Sequence, residues 1–380
     1  ATRSRSATVA APSATGSARR PRTTSAGNSP CIPERSDRAG LGASPPTREG
    51  MSGDQPASGR DGERSQERLH RADSATNPTA APTRGAPDAA VSVDEDGVVS
   101  LPRRALEQYR RFTAYNSPYA AHDHGRAVDL YPTDGTAPSP VGGEVIATES
   151  VRAPPQPYAP ATDHLVVVDC GPVVARIMHV DPSVDVGERV EAGDDLGDLV
   201  RAGFFARWVP NHLHVGFRRH DQHHLRAGGS LPLDLDVDPV PLEWDGTGTV
   251  VDATDSYALL DAPDAGDLEP GAFAGLAADV DGETTVLDGG FQHYDGGGVH
   301  ADRAGAVHLL GERVGDAVAS TGSANDVAWR PLDVRANGER VHGLSLFCGQ
   351  RADYAIKLVG HDLDFEVGEH VTVDLEPATE

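Results

Sequence analysis

Val186-Gly187-Glu188-Arg189-Val190-Glu191-Ala192-Gly193-Asp194-Asp195-Leu196-Gly197 decides the fold class. Glycines placed this evenly suit tight turns between very short strands, and the valines and leucine between them suit a pleated, half-buried surface. The runs upstream are of the same kind. Arg126–Tyr131, Gly143–Ala147, His164–Asp169 and Val173–His179 are rich in β-branched residues, and Cys170-Gly171-Pro172 reads as a hairpin turn between the last two. Short strands separated by frequent turn residues predict an all-β sandwich or small barrel of antiparallel strands.

Outside this block the pattern changes. Residues 1–50 carry eight arginines against Glu34, Asp37 and Glu49 and have almost no periodic apolar pattern, and residues 51–90 remain polar and rich in Pro and Gly. Such a stretch cannot bury enough apolar surface to fold. The acidic composition opens at Met51, which suggests translation starting there. Order is expected from about residue 91. Ser100 to Phe112 reads as a short packing helix with Ser100 as cap and Pro102 in its first turn. Beyond Phe217 a polar link leads through Pro232, Pro239 and Pro241 to further runs. Thr249–Asp252, Thr284–Leu287, Ala306–Leu310, Leu344–Phe347 and Val371–Leu375 read as strands of a second, β-rich accessory domain. The expected organisation is therefore 1–90 without structure, 91–228 as one β domain and 229–380 as another.

Composition limits the functions. The chain has 380 residues, a formal net charge of -25 and 33 basic residues, of which Lys357 alone is lysine. That balance is typical of salt-loving organisms, where strong screening lets self-repulsion be tolerated. It argues against a nucleic-acid ligand, whose phosphates would be repelled. Cys31, Cys170 and Cys348 lie far apart with no Cys-x-x-Cys pair, so neither a disulfide framework nor a thiolate zinc site is expected. No apolar run is long enough to span a bilayer, and no apolar segment follows the N-terminal arginines. These features point to a cytoplasmic protein.

Chemistry concentrates in histidines. In Pro210-Asn211-His212-Leu213-His214-Val215-Gly216-Phe217 the strand period puts His212 and His214 on one face. Upstream lie His122-Asp123-His124-Gly125-Arg126-Ala127-Val128-Asp129, the turn-rich Gly135–Val145, and Met178-His179 ahead of the glycine run. His220, His223 and His224 sit in a polar link and suit a solvated role. His293, His300 and His308 fit no ligand spacing.

The order and separation of these elements, over roughly residues 120–220, resemble the lysostaphin-type or LytM-type zinc peptidases, the Gly-Gly endopeptidase family. That family carries His-x-x-x-Asp, a Gly-Thr-Pro-Val turn, Tyr-x-His-Leu, a Val-x-x-Gly run and His-Leu-His-Phe. The resemblance implies a LytM-like β domain and hydrolysis of a peptide or peptide-like amide. It also implies Zn2+ held by His124, Asp129 and His214, with His179 and His212 as catalytic histidines beside it. Three protein ligands would leave a fourth zinc position open. This chain departs in two places. His124 and Asp129 are five apart rather than four, which on a regular strand sets them on opposite faces unless Gly125 turns the chain, and His122 is the alternative first ligand. Ile177 stands where the family has tyrosine. Three other readings compete. A lipoyl-type carrier would need a lysine on a hairpin tip, and a cupin a glutamate after His-x-His. The third is a LytM-like module that binds a partner without catalysis.

Overall fold

The Val-rich alternation at 162–178 forms a hairpin of Thr162–Asp169 and Val174–Met178, closed at Gly171, whose φ of 95° is a left-handed value that glycine adopts without strain. A computed structural model of the chain describes residues 90–378 apart from 116, 120, 227, 320–324 and 351–354. The polar arm expected over 1–90, almost all of it, and the start expected at Met51 lie outside these residues.

From that hairpin an antiparallel sheet extends both ways. On one side Thr162–Asp169 pairs with Gly143–Arg152, which pairs with Arg189–Val190. On the other, Val174–Met178 pairs with Leu213–Arg218, then Ala127–Tyr131, then Arg111–Thr113. A second, three-stranded sheet of Thr136–Pro138, Asp195–Leu199 and Val180–Pro182 uses the end of the glycine run. The fold is all-β, as the spacing predicts.

One face of the main sheet is the core. Leu213, Val215 and Phe217 lie opposite Leu130, Val128, Ile177 and Ala175, all without solvent exposure. Burying large aliphatic and aromatic side chains contributes about 1.5–3 kcal/mol each. Because side chains alternate, the other face of the same strands carries Asp129, Arg176, Met178 and His214. The hydrophobic alternation therefore fixes which side the polar groups occupy.

The first core does not stop at residue 228. Leu231, Leu233 and Leu235 pack into it, and Leu233–Leu235 pairs in parallel with Val99–Leu101. The helix expected over 100–112 is a single turn, Arg103–Leu106, capped by Pro102, while Ser100 lies in a strand. The reason is tertiary: Phe112 sits in a strand between Leu130 and Cys348, its ring 5.0 Å from that of Phe273.

The second half has its own all-β core. Strands appear at each position the sequence suggests, including Thr247–Ala253, Glu283–Phe291 and His370–Pro377. Others, such as Phe273–Val280 and Gly296–Val299, carry too much Ala and Gly to be read as strands in advance. The halves join where Cys348–Gln350 pairs with Arg111–Thr113. Among the described residues no helix is long and apolar enough to cross a membrane.

Within the glycine run the glycines are unequal: Gly187 and Gly193 sit in turns, while Gly197 lies inside the strand Asp195–Leu199. Gly187 (φ 94°) faces open space, whereas a Cβ on Gly197 (φ 139°) would lie 2.0 Å from the Asp181 carbonyl oxygen. Gly187→Ala carries only the left-handed backbone penalty, about 1–2 kcal/mol. Gly197→Ala must also displace a paired strand. Urea unfolding is expected to give a clearly larger midpoint loss for Gly197→Ala than for Gly187→Ala.

Candidate metal centre

His214 lies directly across the antiparallel ladder from Asp129 on one side and from Met178 on the other. Opposed residues share a face, so register alone aims the His214 ring and the Asp129 carboxylate at each other. Their contact is 3.0 Å, from His214 Nδ1 to Asp129 Oδ1. His212 enters the same face two residues earlier, with its Nε2 3.4 Å from Asp129 Oδ2.

The third group is His122. The chain turns through Asp123–Gly125, with the N–H of His122 donated to the Tyr119 carbonyl and that of Gly125 to the His122 carbonyl. This brings His122 Nε2 to 2.9 Å from His214 Nδ1 and 3.2 Å from Asp129 Oδ1. His124, expected as the first zinc ligand, stands elsewhere. Its φ is 59°, its side chain is 59% exposed, and it contacts Asp326 of the second half. The backbone explains this placement. A turn at Gly125 does occur, but left-handed backbone at both His124 and Gly125 swings His124 outward and returns His122 to the sheet face. A Cβ on Gly125 would lie 2.8 Å from the Tyr115 hydroxyl, so glycine is required there for close approach as well.

His179 follows Met178, where a regular strand would aim its ring into the core. Its φ of 71° breaks the alternation as the chain passes from one sheet to the other. The ring centroid comes to 5.2 Å from that of His212 and 5.9 Å from that of His214. Left-handed backbone at a non-glycine residue is a local strain that packing must sustain. Here the His179 N–H bonds the His164 carbonyl, and its carbonyl accepts the Val200 N–H. Of the expected site residues, Asp129, His179, His212 and His214 are therefore together.

Three of the four rings have a partner that fixes the tautomer. His122 Nδ1 lies 2.9 Å from the Ala114 carbonyl, His212 Nδ1 lies 2.9 Å from the Pro210 carbonyl, and His179 Nδ1 lies 2.7 Å from Asp163 Oδ2. A carbonyl or carboxylate can only accept, so in each case Nδ1 donates and the neutral ring keeps a lone pair on Nε2. Burial pushes His212 and His214 down to about 4, so both are neutral imidazoles at ordinary pH. For His122 burial opposes charge, but the Asp129 carboxylate outweighs it and raises the pKa. Burial likewise opposes ionisation of Asp129, yet His122 and His212 hold its carboxyl well below the usual range.

The donor set fits a metal ion. One carboxylate oxygen and two imidazole nitrogens form a buried triangle with edges of 2.9, 3.0 and 3.2 Å. Ligands about 2.0–2.1 Å from a tetrahedral zinc would be about 3.3–3.4 Å apart. The triangle is slightly tighter than that and has the right composition.

Beside it opens a cleft of about 340 Å³. Its walls are largely apolar: Tyr119, Met178, Phe204, Val209 and Leu225 line it together with the histidines. Phe205 stacks on His212 at 4.3 Å and meets His179 edge-on at 4.6 Å, holding both rings. Two contributors are not visible in the sequence. Asp163 is an unremarkable acid at the start of a strand until register sets it beside His179. Tyr294 reaches the cleft from the second half, and burial together with Asp129 raises its phenol pKa.

The N-terminal domain of the family described as a domain of unknown function, DUF8155, matches residues 100–235, and its C-terminal domain matches residues 240–376. No curated protein and no solved structure matches the chain.

The two histidines of the first motif are separable by substitution. Zinc affinity at this centre is expected to fall about 10-fold or more in His122→Ala and to be unchanged in His124→Ala. Equilibrium dialysis with zinc analysis checks this, with circular dichroism establishing that each variant is folded.

Proposed function

The chain belongs to the DUF8155 family, carrying its N- and C-terminal domains in order, and we propose that its first domain is a zinc-dependent hydrolase of peptide or peptide-like amide bonds. On this reading it is a LytM-type metalloendopeptidase, and the second domain contributes Tyr294 to the cleft. The observation that carries the proposal is the triangle of His122, Asp129 and His214 with two further neutral-tautomer histidines beside it. A site that only stored a metal would have no use for His179 and His212 with Nε2 lone pairs facing the same space.

Zinc held by His122, Asp129 and His214 supplies Lewis acidity toward an amide carbonyl and toward water. The remaining work belongs to the chain. Asp163, fully buried, holds the His179 ring through Nδ1 and stabilises the positive charge that appears when Nε2 takes a proton. His212, anchored on the Pro210 carbonyl and stacked on Phe205, presents a second Nε2 at the centre. The apolar walls exclude water and suit an extended peptide, with Arg176 and Tyr294 among the few polar groups available to orient it. The acidic surface argues for a peptide substrate rather than nucleic acid.

A second reading is a LytM-like module that binds a partner without catalysis. It is favoured by the seven-residue separation of His122 and Asp129, which departs from the four of the catalytic family. Assay at high salt separates the two readings. The zinc-loaded protein is expected to release new amino groups from a mixed peptide substrate. Asp163→Asn should lower kcat by about 10²–10⁴-fold, the range for loss of acid–base assistance, while KM and zinc content stay near wild type. Zinc bound among His122, Asp129 and His214 with no cleavage of peptides or peptidoglycan-type cross-bridges would support the binding module instead.

A further inference from the structure

We propose that Asp288, His300 and Cys348 form a second metal site, for a divalent ion of the zinc type, at the junction of the two halves of the molecule. His300 Nε2 lies 3.3 Å from Asp288 Oδ2 and 3.5 Å from Cys348 Sγ, and all three donor atoms lie within 4.8 Å of one another. Tetrahedral zinc with nitrogen or oxygen at about 2.0–2.1 Å and sulfur at about 2.3 Å would set those two edges at about 3.3 and 3.6 Å.

Hydrogen bonding does not account for the cluster. One imidazole nitrogen cannot donate a proton to the carboxylate and accept one from the thiol at the same time. As a donor, Nε2 must share one proton between oxygen at 3.3 Å and sulfur at 3.5 Å; as an acceptor from the thiol, it leaves the carboxylate contact without a proton. Asp288 has no solvent exposure, and its Oδ1 has no hydrogen-bond partner among the described residues. A buried carboxylate so placed is costly unless a cation compensates it. The thiol is equally enclosed. A divalent ion would neutralise the carboxylate and the thiolate, with the thiol proton leaving to solvent. Soft sulfur with imidazole and carboxylate selects zinc-like ions over calcium or magnesium.

The location adds to the case. His300 also lines a surface cleft bearing Asp234, Asp236 and Asp238, which gives a cation a route inward. Cys348 sits on the strand that joins the halves, opposite Phe112. Asp288 Oδ2 accepts the Ala114 N–H at 2.7 Å, and the Ala114 carbonyl is the group that orients His122. An ion here would fasten the junction and stiffen the backbone behind the first centre. Asp288 and His300 come from the two arms of one hairpin and Cys348 from a strand 48 residues beyond His300, so no short motif announces the set.

The test uses cobalt on the full chain with Cys31→Ser and Cys170→Ser, so that Cys348 is the sole thiol. Cobalt loading is expected to give a thiolate-to-cobalt charge-transfer band in the near ultraviolet. Adding Cys348→Ser should abolish the band and lower bound metal by one equivalent. The His122, Asp129 and His214 centre contains no sulfur, so the band reads the second site whether or not the first binds metal. Absence of the band while Cys348 is present would overturn the proposal, leaving an Asp288–His300 pair beside a free thiol.

Discussion

The pairing of His214 with Asp129 across two antiparallel strands is the constraint on which the rest of the site depends. A slip of one residue would send every side chain of Leu213–Arg218 to the opposite face. His214 would enter the core, and Leu213 would face the cleft. The register cannot slip, because Leu213, Val215 and Phe217 are locked against Leu130, Val128 and Ile177 on the far side. Hydrophobic packing thus positions two polar groups that by themselves would resist burial.

Around that pair, two local irregularities and two supporting side chains complete the centre. The turn at Asp123–Gly125 delivers His122, the left-handed residue at His179 delivers a fourth ring, and Asp163 and Phe205 hold the rings in place. Regular strands supply direction and irregular backbone supplies convergence. That division explains why a rigid β scaffold can still gather groups from residues 122, 129, 179, 212 and 214.

The same division decides what the sequence reveals. Short β-branched runs broken by turn residues show the strands plainly, and His212-Leu213-His214 shows its face. Counting residues across a turn does not show which histidine of the first motif joins the cluster: His122 does, and His124 stands against Asp326. His122 and His124 are two apart, so composition and spacing treat them almost alike, and only the left-handed backbone at His124 and Gly125 separates them. Asp163 is invisible because its role comes from its place beside a ring sixteen residues away. Strands such as Gly296–Val299 are hidden because their stability lies in their neighbours rather than their own residues. The helix expected at 100–112 failed for a related reason: helical spacing of Leu106, Tyr109 and Phe112 is overridden when Phe112 is drawn between two strands.

The central claim is that one metal ion sits among His122, Asp129 and His214. A zinc-edge anomalous difference map from crystals of the full chain grown with zinc tests it most directly. The account predicts a peak bonded to His122 Nε2, Asp129 Oδ1 and His214 Nδ1, about 2.0–2.2 Å from each. A fully zinc-soaked crystal with no peak inside that triangle, or with zinc at His124 in its place, would contradict it.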